Sequence, residues 1–202
     1  MLVFELMDEH DRQLMLSVLE RTRDDFLESV AGVSEGEARL KPSSDRWSIL
    51  ECVEHVVSAE RGMFVAITQR SAPLSSHVGR GREEGFLRTG TDRSRRYTTS
   101  ASLAPNGRFA TLADAVARFR EHRAHTIEFV TACRVELRDL EVPHPIGGLV
   151  TGQECLALLA VHPARHAAQI REVRAALGLD EFAAVADARA VAARAKPKAR
   201  FD

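Results

Sequence analysis

Apolar residues recur at helical spacing in four stretches of the chain, and turn-forming residues separate them. The first predicted helix runs roughly from Asp8 to Ala31. Leu14, Val18, Leu19, Phe26 and Val30 supply its apolar positions, and Gly32 sits where a helix stops. Glu35 to Arg46, with Pro42, Ser43 and Ser44, reads as a connection. The second helix begins near Ser48, where Ser48-Ile49-Leu50-Glu51 has the form of a capping box and Trp47 stands where a staple belongs. Leu50, Val53, Val57 and Phe64 mark its core face, and it ends near Arg70. The third helix spans about Leu112 to Leu137, on a stripe of Leu112, Val116, Phe119, Arg123, Thr126, Val130, Cys133 and Leu137. The fourth starts at the capping box Thr151-Gly152-Gln153-Glu154 and continues to about Leu177, with Gly178 as its stop. Pro163 lies inside it and predicts a kink, because it lacks the N–H that would bond back to Leu159.

Residues 71 to 110 interrupt the pattern with Pro73, Gly79, Gly81, Gly85, Gly90, Pro105 and Gly107. So long a connection inside a compact domain needs a task, and the simplest is a crossover between two consecutive parallel helices. No stretch alternates well enough to predict a strand. The reading is an all-α chain: a four-helix bundle over residues 1–178, with a long crossover between helices 2 and 3. Residues 179–202 form an Ala/Arg-rich helix or tail.

Charge narrows the function. With 28 Lys+Arg against 29 Asp+Glu, nothing favours nucleic acid or an acidic membrane surface. The basic stretch Arg93 to Arg96 is short and reads as a solvated loop. No apolar run is long enough to span a membrane, and the acidic start (Glu5, Asp8, Glu9) does not resemble a signal peptide. Cys52, Cys133 and Cys155 are too few for a disulfide framework and fit a reducing cytoplasm.

Of eight histidines, His162 and His166 stand apart. Spaced i, i+4, they project from the core stripe of the fourth helix, one turn apart. Buried imidazoles need partners, and a metal ion would satisfy both. His55, on the second helix beside Cys52, Ala59 and Gly62, is the candidate third ligand. Three histidines with open positions suit catalysis better than a closed structural site. Cys155 is two turns from His162 and too far to share the metal, whereas Cys52 stays open as a ligand. Glu54 and Glu51 are candidate proton-handling groups beside His55. Glu51 has a competing role in the cap, and Glu54 has the alternative of facing water. Gln169, one turn beyond His166, reads either as a group that orients ligand or substrate or as a polar residue at the edge of the stripe. Arg123 reads either as a stem packed on the bundle with its head in water, or as an anion-binding group reaching into a pocket.

These pieces resemble the DinB/YfiT-like family. Arg46-Trp47-Ser48-Ile49-Leu50-Glu51-Cys52-Val53-Glu54-His55 is similar to its second-helix signature. His144-Pro145-Ile146-Gly147-Gly148 leads into a final helix whose His162-Pro163-Ala164-Arg165-His166-Ala167-Ala168-Gln169-Ile170 looks like the family's H-x-x-x-H-x-x-Q-I ending. The resemblance covers roughly residues 8 to 178 and implies an up-down-down-up bundle. It also implies one divalent metal, zinc or nickel, on His55, His162 and His166. Members are described as metal-dependent hydrolases. Some relatives use a low-molecular-weight thiol such as bacillithiol or mycothiol for transfer or isomerisation, and many form homodimers. Pro163, directly after a ligand, departs from the pattern and bears on the geometry of the pair.

The leading expectation is a metal-dependent enzyme acting on a small-molecule substrate by hydrolysis or thiol transfer. The alternative is a non-catalytic, stress-related binding or scaffold bundle with a structural metal or none. A DNA-binding regulator fits poorly, since no basic recognition helix is evident.

Overall fold

The structure, a computed structural model, describes residues 7–94, 98–144 and 148–179. Residues 180–202 of the expected tail lie outside the described residues. So do Glu5, Arg95, Arg96 and residues 145–147 of the turn-rich segment.

Four long helices carry the fold: α1 (Glu9–Ser29), α2 (Ile49–Gln69), α4 (Leu112–Ala132) and α5 (Gly152–Ala176), with a short α3 (Glu83–Thr89) in the crossover. Each long helix starts on a side-chain cap. Asp8 and Thr111 accept backbone amides of α1 and α4, while Ser48/Glu51 and Thr151/Glu154 form full capping boxes on α2 and α5. Such caps satisfy amides that the helix itself leaves unbonded.

Contacts between named residues fix the directions. Glu60 meets Arg123 and Phe64 meets Phe129, so α2 and α4 run parallel. Thr22 meets Ala160 and Ser29 meets Arg174, so α1 and α5 run parallel. Arg12 meets Val130 whereas Phe26 meets Phe119, so α1 and α4 are antiparallel. This is the up-down-down-up bundle, and the strap from α2 to α4 is the crossover that parallel neighbours require. The core has two halves. Met15, Leu19, Met63, Val130 and Leu156 fill one, and Phe26, Ile49, Val53, Phe119 and Ile170 fill the other. No helix among the described residues is long and apolar enough to cross a membrane.

The details differ from expectation in four places. Leu14 is 41% exposed and lies off the core stripe, where Met15 is buried instead. The third helix stops at Ala132, because Cys133 turns extended (φ −59, ψ 126), and Leu137 enters the core from a separate 3₁₀ turn, Leu137–Asp139. There α5 comes so close that a Cβ on Gly152 would sit 2.8 Å from the Leu137 carbonyl oxygen. The crossover is also partly structured: α3 packs on α5, with Gly90 set against Val161.

Strands are present too. β1 (Ala72–Pro73), β2 (Leu140–His144) and β3 (Gly148–Thr151) form an antiparallel sheet in the order β1-β2-β3. Only Val142, Val150 and Thr151 turn inward from it, too few to show as alternation in the sequence. Pro143 is tolerated because β1 pairs only with Leu140 and Glu141, which leaves Pro143 without a neighbour on that side.

Candidate metal centre

The antiparallel packing of α2 on α5 brings His55 against His162 and His166. The Nε2 atoms of His162 and His166 are 3.1 Å apart, and one nitrogen from each of the three rings lies within 4.8 Å of the others. Two nitrogens bound tetrahedrally to zinc stand about 3.3 Å apart. The pair on α5 therefore already holds nearly the separation a shared ion demands.

The protonation states suit a cation. Burial, and then the neighbouring imidazoles, hold His162 and His166 well below the ordinary histidine pKa. The Gln169 side chain acts the other way on His166, but more weakly. Burial also lowers His55. All three rings are thus neutral near pH 7 and offer lone pairs rather than charge. The Nδ1 of His55 lies 2.9 Å from the carbonyl oxygen of Leu103. A carbonyl only accepts, so Nδ1 carries the proton and Nε2 is left free to bind a metal.

Leu103 belongs to the strap, and Glu54 holds that strap in place. Its carboxylate accepts from the backbone amides of Asn106 (2.7 Å) and Gly107 (3.2 Å) and from Arg108 Nη1 (3.0 Å). Glu54 is 1% exposed and so does not face water; it anchors the loop that orients His55. Glu51 is committed to its cap and to Lys41 at 2.8 Å. On the opposite flank, Gln169 Oε1 accepts from Arg93 Nη1 at 3.2 Å, and Arg93 also pairs with Glu172. Trp47 covers the rings, its centroid 5.0 Å from His55 and 6.3 Å, stacked, from His166.

Two expectations are corrected. Arg123 neither reaches water nor enters a pocket. It is fully buried, paired through Nε and Nη2 with Glu60 at 2.7 Å each, and it donates to the Leu19 carbonyl and Thr22 Oγ1 at 3.0 Å. No group is left over to hold a substrate anion. Cys52 is fully buried in the core half with Phe26, Ile49 and Val53, and among the described residues only His55, His162 and His166 bring ligand atoms together, so Cys52 does not join them.

Sequence reasoning missed Glu60, although its position was a signal. It falls on the stripe Val53, Val57, Glu60, Phe64, Ile67, opposite the one arginine in the stripe of α4. It also missed the strap contacts, which no periodicity marks.

Known proteins share this fold. The uncharacterised protein YuaE of Bacillus subtilis (strain 168) is 21% identical over 161 residues, covering 79% of this chain and 96% of YuaE. Among solved structures, YfiT from Bacillus subtilis superposes with a TM-score of 0.55 at 13% identity, over 88% of this chain and 94% of its own. It is described as "a probable metal-dependent hydrolase with an unusual four-helix bundle topology". TT2238, a four-helix bundle protein, gives a TM-score of 0.52 at 17% identity, over 80% and 98%. The family model for the DinB superfamily matches residues 18–170, and the chain belongs to that superfamily.

Proposed function

We propose that this chain is a metal-dependent enzyme acting on a small-molecule substrate in a reducing cytoplasm, with His55, His162 and His166 holding one divalent transition metal. The observation that carries the reading is the convergence of three neutral imidazoles, two of them 3.1 Å apart at Nε2 and the third oriented by the Leu103 carbonyl. Imidazole ligands suit zinc and nickel alike. Bound there, the cation supplies a Lewis acid whose charge its ligands do not cancel. The protein's own share is positional. Glu54 fixes the strap, the strap fixes the His55 tautomer, Trp47 shields the rings, and Gln169 with Arg93 lines the polar flank.

Hydrolysis is the leading reaction, since YfiT carries that description. Transfer involving a low-molecular-weight thiol is the second to test, because the protein's own thiols are buried and another must be supplied. The test is metal content of untagged protein by elemental mass spectrometry, beside a His55→Ala/His166→Ala variant, followed by ester, amide and thiol-transfer substrates. The reading expects about one metal per chain, lost in the variant, and turnover that follows the metal. Undiminished turnover in metal-free protein would sink it.

A further inference from the structure

A cleft distinct from the three-histidine cluster, with His122 of α4 in its wall, opens between α2, α4 and the strap. Its volume is about 660 Å³, within the range of small-molecule sites. Four arginines line it: Arg61 and Arg70 from α2, Arg108 from the strap and Arg118 from α4. No lining residue is acidic. Arg108 is partly neutralised by Glu54, and Arg118 by an exposed pair with Glu121. Arg61 and Arg70 have no ion pair among the described residues. Arginines that line one cleft suit an anion there, since their planar forks match carboxylate and phosphate.

Gly62 adds an independent observation. Glycine inside a helix costs about 1 kcal/mol relative to alanine. Its φ is ordinary, and the nearest atom to a Cβ placed there would be Leu103 Cδ2 at 3.9 Å, so the backbone does not require it. A side chain at that position would project into the cleft. The glycine keeps the cleft open beside the arginines.

We propose that this cleft binds a small organic anion bearing phosphate or carboxylate groups, at a site distinct from the metal centre. The near-zero net charge of the chain argues against a polyanion such as nucleic acid. The site also adjoins the strap through Ser102, Leu103 and Arg108, so its occupant would touch the loop that orients His55.

The test is calorimetric titration with inorganic phosphate and with citrate at constant ionic strength. The proteins are the purified wild type, Arg61→Gln/Arg70→Gln, Gly62→Leu, His166→Ala, and the control Arg21→Gln/Arg88→Gln, which removes the same charge outside the cleft. Arg61 and Arg70 are exposed, so their variant keeps its fold, which circular dichroism checks. The expected result is saturable binding of at least one probe, weakened about tenfold or more by the arginine pair and blocked by Gly62→Leu. It should be unchanged in His166→Ala and in the control. The tighter probe names the ligand class. Absence of binding, or equal loss in the control, overturns the proposal. So does binding that vanishes in His166→Ala yet survives Arg61→Gln/Arg70→Gln, since the anion would then sit at the metal.

Discussion

Arg123 donates from Nη2 to the carbonyl oxygen of Leu159 at 3.4 Å, the acceptor that Pro163 leaves without its helical amide. One residue on, the Ala160 carbonyl receives the Thr22 hydroxyl at 2.6 Å. Two neighbouring helices therefore supply donors at the turn that leads into His162, and α5 continues through the proline. The guanidinium that satisfies this turn is itself satisfied by Glu60.

Removing one member of that pair strands the other in the core. Arg123→Met leaves the Glu60 carboxylate buried at 1% exposure and removes a donor from Leu19, Thr22 and Leu159. It should cost about 3–5 kcal/mol, whereas Arg123→Met with Glu60→Met should cost clearly less than the sum of the singles. Urea denaturation of the four proteins checks this. A double variant as destabilised as the summed singles would show that the two residues act independently.

Glu54→Gln tests the chain from strap to ligand. The amide keeps the size of the side chain but loses the charge that holds Arg108 and strengthens the bonds from Asn106 and Gly107. Metal affinity should fall on the order of 10- to 100-fold, as for other groups that orient a ligating histidine. Amide hydrogen exchange across residues 102–108 should rise in parallel. Faster exchange with unchanged affinity would detach the strap from His55.

Much of this was legible because it is local. Capping boxes span four residues, and the His162/His166 pair spans one turn, so spacing alone exposes both. The Glu60–Arg123 pair was half legible as opposite charges in two apolar stripes, but partner and direction need the packing of α2 on α4. The strap contacts were not legible at all. Glu54 meets Asn106 and Arg108 across 52 and 54 residues of irregular chain, and no repeat marks that closure. The strands escaped for a related reason, since strands of two, five and four residues carry too few positions to alternate.

Acid should weaken the fold through Glu154. Its carboxyl is fully buried, which by itself raises the pKa. Bonds from the Arg82 guanidinium and from the Thr151 and Arg82 amides outweigh this and hold it below the ordinary 4.5. The unfolded chain then takes the proton first as pH falls. The stability from this group is complete above the ordinary value and is lost as pH drops through it toward the folded pKa. Glu154→Gln should be less stable than wild type at pH 7 and should lose less between pH 6 and pH 3. Parallel denaturation curves at several pH values decide it, and equal acid sensitivity in both proteins would remove Glu154 from the account.

Metal should stabilise the chain by mass action, because only the folded state brings His55 to the α5 pair. At a free metal concentration one hundred times Kd, the gain is about 2.7 kcal/mol. For a chain of this size that corresponds to a rise in Tm of roughly 5–11 °C. Zinc or nickel added to chelator-treated protein should produce this rise, and fresh chelator should reverse it. In His166→Ala the rise should disappear, while Gln169→Ala, which leaves all three ligands in place, should keep most of it. A shift that persists in His166→Ala would place the stabilising metal elsewhere, and the three-histidine centre would lose its support.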